Sequence, residues 1–298
     1  IQSGKYELFP NFRNVFLPEN DNCSEIIFAI QLSINDGSPN NENGSYGDRL
    51  LPPGGPYPVY GFLRPTQNLV NAYKTDVKGL PYNDGKDVSE NDYVDVRLDH
   101  TLARPNIPFM DVQLYDWIPR EASVYGPYSP KKRLVSLNST YYSPIWPYVN
   151  ALNFYVIRYA DLLLWRAEAA IETGDLETGR KYINMIRERA KNTQDQSQDA
   201  ANYKVGVYDE PFKSKNEAVQ ALRMERRLEM AHEGIRFFDL VRWGVADEVI
   251  NAYIAKEKVF RSHLQNAHFV KGKHEYFPIP QSMIDICGTE VMKQNPGY

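Results

Sequence analysis

The 298-residue sequence predicts a mainly α fold, in which paired helices carry a long loop-rich region with a few short strands. Three observations predict it. Sixteen of the 20 prolines fall within residues 1–152, and proline removes a backbone donor and breaks helix interiors. Apolar residues at 156, 159, 160, 163, 164, 167, 170 and 171 repeat with the period of an amphipathic helix. A second apolar stripe follows after about three residues, a spacing that makes an antiparallel helix hairpin. The chain therefore divides into 1–152, loop-rich and aromatic, and 153–298, helical, as parts of one continuous domain.

In order, Glu25 to Leu32 is an apolar run expected as a buried strand. Residues 36–58 are rich in Gly, Asn, Ser and Pro and form a long loop, a kind of segment that is often functional. Pro65 to Tyr73 is expected as a short helix with Leu69, Ala72 and Tyr73 on one face. Residues 81–95 are acidic and turn-rich. The long helix over 156–171 stops at Gly174. Asp175 caps the next helix, whose stripe is Leu176, Ile183, Ile186 and Ala190. Helix pairs of this size build tetratricopeptide-like arrays. One pair cannot bury its own face, so more helices are expected, some of them upstream of Ile1. A third helix runs from 216 to 232 with Ala218, Ala221, Leu222, Glu225, Leu228 and Ala231 on one face and Gly234 as its C′ residue. A fourth starts near Arg236 and continues through Asp247 to Ala255, bent at Gly244. The tail from Glu275 to Gln281 is extended, because residues before proline leave the helical region.

Composition excludes several classes. A net charge of −4 argues against a nucleic-acid backbone binder. No run of 18 apolar residues exists to cross a membrane as a helix. Two cysteines, Cys23 and Cys287, make neither a disulfide framework nor a metal-spaced pair. The chain opens at Ile1 with no signal peptide and reads as a mature or truncated fragment.

No catalytic pattern stands out. Asp92, Asp95, Asp99, Asp111 and Asp116 read as solvated loop acids, with no spacing that fixes a glycosidase pair. A calcium site built from loop oxygens stays open, although no EF-hand loop is present. The five histidines form no ligand set, and there is no GxSxG, P-loop or GxGxxG. No metal and no cofactor is therefore expected. The alternating charges from Glu225 to Arg242 read as an ion-pair network at a helix junction rather than a site.

The aromatic residues are the best functional candidates. Tyr115, Trp117, Tyr125, Tyr128, Tyr141, Tyr142, Trp146 and Tyr148 crowd into residues 111–150. A flat ring covers the C–H face of a sugar, while Arg, Asn, Asp and Gln bind its hydroxyls. At about 1 kcal/mol per stacked ring, three rings and a few hydrogen bonds reach roughly millimolar to tens of micromolar affinity. Trp117 and Trp146 are the first choices, since no helical stripe claims them, with Tyr115, Tyr125 and Tyr128 beside them. Asp116 and Arg120 flank Trp117 and suit hydroxyl binding. Tyr46, Tyr57, Tyr60 and Tyr82 form a second tier.

Four segments of the second half carry a resemblance: Ile157-Arg-Tyr-Ala-Asp-Leu-Leu-Leu with Ala167-Glu-Ala; the stretch from Glu225-Arg-Arg-Leu-Glu to Phe238-Asp-Leu-Val-Arg-Trp-Gly; Tyr276-Phe-Pro-Ile-Pro-Gln-Ser; and Gln294-Asn-Pro-Gly-Tyr298. Upstream, Ser3-Gly-Lys-Tyr, Glu25-Ile-Ile-Phe and Val96-Arg-Leu-Asp match as well. In this order and spacing the chain resembles the SusD/RagB family of outer-membrane nutrient-binding lipoproteins. The resemblance implies a SusD-like α–α superhelix bearing a glycan-binding, loop-rich region. It also implies a non-enzymatic role at the cell surface. There the protein is held to the outer membrane by a lipid anchor that this chain lacks, and it passes a glycan ligand to a TonB-dependent, SusC-like transporter. Two alternatives remain: a helix-repeat scaffold for protein partners, and a nutrient receptor that binds peptide.

Overall fold

The computed structural model describes the chain except residues 2, 47–49, 52, 53, 56, 59, 111–118 and 196–199. It forms two compact units, Ile1–His232 and Glu233–Tyr298. The composition change near residue 152 lies inside the first.

The first unit contains, in order, strand β1 (Ile26–Ile30), helix α1 (Gln67–Ala72), β2 (Lys74–Thr75), β3 (Tyr93–Val94), α2 (Arg97–Thr101), β4 (Leu102–Ala103), α3 (Ala122–Tyr125), β5 (Ser129–Pro130), β6 (Phe154–Arg158), α4 (Tyr159–Glu172), α5 (Leu176–Asp195) and α6 (Lys215–Glu229). The strands pair antiparallel as three ribbons, β1 with β6, β2 with β3 and β4 with β5. Most of the rest of the described residues lie in loops and short 3-10 turns, including 81–92, as the proline distribution predicts.

Helices α4, α5 and α6 pack as the main core. Leu163, Leu164, Ala167 and Ile171 of α4 meet Ile183 and Ile186 of α5 and Ala218, Ala221 and Leu222 of α6. The expected α4–α5 turn forms. Gly174 takes φ +88°, and the Asp175 side chain accepts the Thr178 amide at 3.0 Å, capping α5. The two helices pass so closely that a Cβ at Gly179 would collide with Ile171. Ser214 caps α6 by accepting the Glu217 amide at 3.2 Å.

Three expectations about element limits change. Val156 to Arg158 lie in β6 and not in the long helix, because Ile26 pairs with Arg158 and Ile30 with Phe154, and the exposed edge of β1 claims their backbone groups. β1 itself is not a buried strand. Only Ile26 is buried, while Phe28 and Ile30 are 56% and 53% exposed, as one face of a two-stranded ribbon is. Helix α6 ends at Glu229, three residues early. Lys132 Nζ takes the carbonyls of Glu229 and Ala231 at 2.8 and 3.1 Å, and His232 turns to φ +63°. Gly234, at φ +84°, therefore lies beyond the cap.

The charged helix does form an ion-pair network, and it is buried. Arg97 binds Asp95 at 2.7 Å, Glu225 at 2.7 Å and Glu229 at 3.0 Å. Arg158 joins Glu25 at 2.6 Å to Glu229 at 2.7 Å. Arg187 binds Glu225 at 2.9 Å, and Arg189 binds Glu25 at 2.9 Å and Glu229 as well. Arg226 adds a 2.7 Å pair with Asp161, tying α6 to α4. Burial alone would push the Glu229 carboxyl up, but Arg189, Arg158, Arg97 and Lys132 outweigh it and hold it far below the ordinary range. Asp95 is likewise lowered: burial opposes, and Arg97 prevails.

Two of the acids read as solvated are thus interior. Asp95 belongs to this network. Asp99 clamps Arg104 at 2.6 and 2.8 Å and accepts from the Tyr203 hydroxyl at 2.9 Å. Their partners come from distant parts of the chain, which spacing alone does not show. Asp92 pairs with Lys74 at 3.0 Å, and Asp111 and Asp116 lie outside the described residues.

The second unit contains α7 (Arg236–Arg242), α8 (Ala246–Glu257) and α9 (Gln281–Cys287). The expected single bent helix is two helices, separated where Gly244 takes φ +70°. Leu240, Ala246 and Phe269 form the core. The segment before α9 is extended, as its prolines require. Gln294 straps it by binding the amide and carbonyl of Ile279 at 2.7 and 2.8 Å. Helix α9 was not expected from the sequence.

Two tests follow from the interior charges. Glu229→Ala leaves three buried guanidiniums short of a partner and should cost about 3–5 kcal/mol in urea unfolding. Burial, then the charges of Lys131 and Lys132, lowers His100 to about 3 and His232 to about 4. An unfolded imidazole titrates at about 6.5, so stability present above that pH declines as pH falls toward 4. The lowered carboxylates extend the loss below about pH 4. Unfolding midpoints measured from pH 7 to 4 should show this decline, and His232→Gln should flatten it by about one proton.

Candidate functional site

Residues 141–151 fold back as an irregular hairpin. Ser143 donates to the Val149 carbonyl at 2.8 Å, Ala151 to Tyr141 at 3.0 Å, and Tyr148 closes the tip by donating to Ile145 at 2.8 Å. Ser45 donates to the Asn150 carbonyl at 2.7 Å and adds a third strand-like segment. The tip reads Pro144-Ile-Trp-Pro-Tyr148. Pro144, Pro147 and φ +58° at Tyr148 prevent a helix, and the turn holds Trp146 outward while Tyr148 stays half-buried. Trp146 is 62% exposed, and its ring meets Tyr148 edge-on at 5.9 Å.

Beside the base of this hairpin is a cleft of about 420 Å³, a size that suits small ligands. Ser45 and Tyr46 form one wall, Ile30 and Phe154 another, with Arg133 and His232 among the remaining lining residues. Register places Phe154 there: it sits opposite Ile30 at the far end of the β1–β6 ribbon. The Arg133 guanidinium lies 4.8 Å over the Phe154 ring, a cation–π contact. A second, shallower groove of about 690 Å³ runs along α5, lined by Glu177, Arg180, Lys181 and Glu188. Its mixed charges are those of an ordinary solvated helix face.

The residues expected to bind ligand do not all converge. Trp146 stands at the hairpin tip. Tyr125 is exposed at the end of α3 and Tyr82 on a separate loop, and Tyr60 is half-buried. Arg120 is exposed, 3.6 Å from Glu121. Tyr128 packs on the Val70–Tyr73 cluster and donates to Gln67 at 2.6 Å, a structural position. Tyr57 is only 4% exposed and meets Phe109 edge-on at 5.4 Å, so it is a core residue that offers no face to a ligand. Its loop folds inward onto Phe109 and Leu134, which local composition does not reveal. Tyr115, Asp116 and Trp117 lie outside the described residues. Sequence reasoning missed Phe154 and Arg133. The signal for Phe154 was the alternation within Phe154-Tyr-Val-Ile-Arg, hidden by the helical period next to it. Among the described residues, no group of three or more His, Cys, Asp and Glu is arranged to hold a metal ion, and no helix is long and apolar enough to cross a membrane.

Residues 24–298 match the model of the SusD family, and the chain belongs to that family. SusD-like protein P25 of Formosa agariphila is 24% identical over 310 residues, covering 96% of this chain and 51% of that protein. Surface glycan-binding protein A from Bacteroides fluxus superposes with a TM-score of 0.66 at 24% identity, over 100% of this chain and 56% of that one. Surface glycan-binding protein A from Bacteroides thetaiotaomicron, solved in complex with laminarihexaose, gives a TM-score of 0.64 at 20% identity, over 98% and 56%. The chain thus spans about half the length of these relatives. The mainly α, tetratricopeptide-like fold expected from the sequence is the fold of the structure.

Exposure separates structural from surface aromatics, and mutation can test the division. Tyr57→Ala should lower stability by about 3 kcal/mol, as large-to-small changes do in a core. Trp146→Ala should change it by less than about 0.5 kcal/mol. Thermal or urea unfolding of the pair checks both.

Proposed function

We propose that this chain is a cell-surface glycan-binding protein that captures an oligosaccharide without cleaving it. It passes the sugar to a TonB-dependent, SusC-like transporter in the outer membrane, where a lipid anchor holds the protein. One observation carries the reading: the exposed Trp146 ring, backed by the half-buried Tyr148, stands on a hairpin whose base is bonded to the wall of an aromatic-lined cleft. A flat, solvent-facing ring beside a concave surface suits a ligand with apolar ring faces and hydroxyl rims. Relatives whose names describe glycan or laminarin binding support it. Residues 1–152 supply the ligand-contacting loops and 153–298 the helical support. Tyr46, Tyr60, Tyr82, Tyr125 and Arg120 form the outer part of the site, with Trp117 and its neighbours Tyr115 and Asp116 as companions to Trp146.

Calorimetric titration against soluble glycans, with reducing-sugar release followed in the same samples, tests this. Saturable binding with no release is expected. Trp146→Ala should weaken it about fivefold, the loss of one stacked ring. Release of sugar would make the protein an enzyme, and undiminished binding by Trp146→Ala would move the site elsewhere. Binding of peptides in place of sugars would replace the ligand class.

A further inference from the structure

We propose that the cleft beside the aromatic hairpin receives an ester-linked acyl group of the captured glycan, so that the protein selects acylated oligosaccharides over their bare counterparts. This names the substrate class within the glycan-capture reading and rests on it.

The cleft offers a particular kind of apolar surface. Ile30, Leu32, Leu51, Leu63, Pro130 and Phe154 are six of its twelve described lining residues. Leu51 is buried against the core around Phe109, whereas Ile30, Leu63 and Phe154 are 53%, 71% and 43% exposed. One exposed apolar side chain is ordinary, but several converging on one concavity mark a ligand surface. A bare sugar carries hydroxyls around its rim, and branched aliphatic walls give them no hydrogen bonds. Each hydroxyl buried there loses water without compensation. An aliphatic or aromatic acyl group gains from the same walls in proportion to the area it buries. The flat Trp146 ring has the opposite suitability, since it covers the face of a sugar and leaves the rim in water. The two surfaces thus divide one ligand, ring on the hairpin and acyl group in the cleft.

The exposed apolar side chains are held in place. Leu63 takes φ +53°, a left-handed conformation that leucine seldom adopts. Its turn is pinned on two sides. Arg64 Nε donates to the Gly61 carbonyl at 2.8 Å and its Nη1 to the Gly126 carbonyl at 3.1 Å. The Phe62 amide donates to the Leu50 carbonyl at 2.9 Å, tying the Leu63 segment to the Leu51 segment. Asn or Gly would suit that backbone better, so the leucine is there for its side chain. On another wall, Ile30 faces Phe154 across the β1–β6 ribbon, and strand alternation puts the exposed Phe28 and Val156 on the same face. The apolar surface therefore continues past the cleft mouth.

Polar members of the wall are engaged within the protein. Lys132 donates to the carbonyls of Glu229 and Ala231, and the Arg133 guanidinium lies 4.8 Å over the Phe154 ring. His232, lowered to about 4 by burial and then by Lys132, is uncharged at neutral pH. The hairpin is joined to the cleft through Asn150, whose carbonyl accepts the Ser45 amide at 2.7 Å. Trp146 lies four residues from Asn150, no more than about 14 Å along the chain. A short oligosaccharide spans both surfaces.

The test is calorimetric titration of the whole chain with two matched pairs: an acetylated manno-oligosaccharide and a feruloylated arabinoxylo-oligosaccharide, each beside its own saponified product. At about fourfold per buried methyl-sized group, the acetyl ester should bind about fourfold tighter than its product and the feruloyl ester about tenfold or more. The pair with the larger ratio identifies the acyl class. Leu63→Asn, which suits the left-handed backbone, combined with Ile30→Thr, which keeps the strand preference, should bring the ratio close to one without lowering the melting temperature. If the double variant melts lower, Leu63→Asn alone decides, and its ratio must fall at least about twofold. Trp146→Ala should weaken both members of a pair while leaving their ratio unchanged. Equal binding within both pairs, or a ratio that survives these variants in a protein with an unchanged melting curve, overturns the inference and leaves glycan capture standing. Binding of none of the four probes overturns both.

Discussion

Four buried guanidiniums facing four buried carboxylates constrain everything else in the first unit. The participants come from the loop before β1, the start of α2, the end of β6, and helices α5 and α6. An ion pair of this kind contributes little net stability beside a well-packed apolar core, but removing either partner is costly. Its effect is therefore one of exclusion. A packing that leaves Glu229 or Arg97 without its counterpart is heavily penalised, so loops with few apolar residues are still bound to a single arrangement on the helices.

That constraint sets the position of the cleft. Glu25 and Arg158 anchor one end of the β1–β6 ribbon in the network, and Ile30 and Phe154 emerge at the other end as cleft walls. Lys132 ties the opposite side by capturing the carbonyls that end α6. The aromatic hairpin then attaches through Ser45 and Asn150. Rigid elements thus hold a surface made largely of loops, a division that lets loops vary while their support stays fixed.

The comparisons have the same form. Chains that share only 20–24% identity with this one superpose over nearly all of it. What they have in common with it is the fold. Function resides in the sites carried on such a fold and must be argued from their particular side chains.

Sequence alone determined the helical half well. The period of Leu163, Leu164, Ala167 and Ile171, the Gly174–Asp175 boundary and the stripe on α5 are local patterns, written within a few residues of where they act. The ordered motifs around Arg158, Glu225 and Asp239 were legible for the same reason, and with them the family. The site was only partly legible. Trp146 was singled out because no helical stripe claims it, and it is exposed, but Tyr57, also set among prolines, lies in the core against Phe109. Asp95 and Asp99 read as loop acids, although their surroundings are interior. Phe154 and Arg133 passed unnoticed because a helical pattern begins beside one and a run of basic residues surrounds the other. In each case the deciding partner is distant in the chain: Glu229 for Arg97, Phe109 for Tyr57, Ile30 for Phe154. Local periodicity fixes which segments are helices. Which loop side chains are buried, paired or presented to a ligand depends on long-range contacts, and only the tertiary structure decides those.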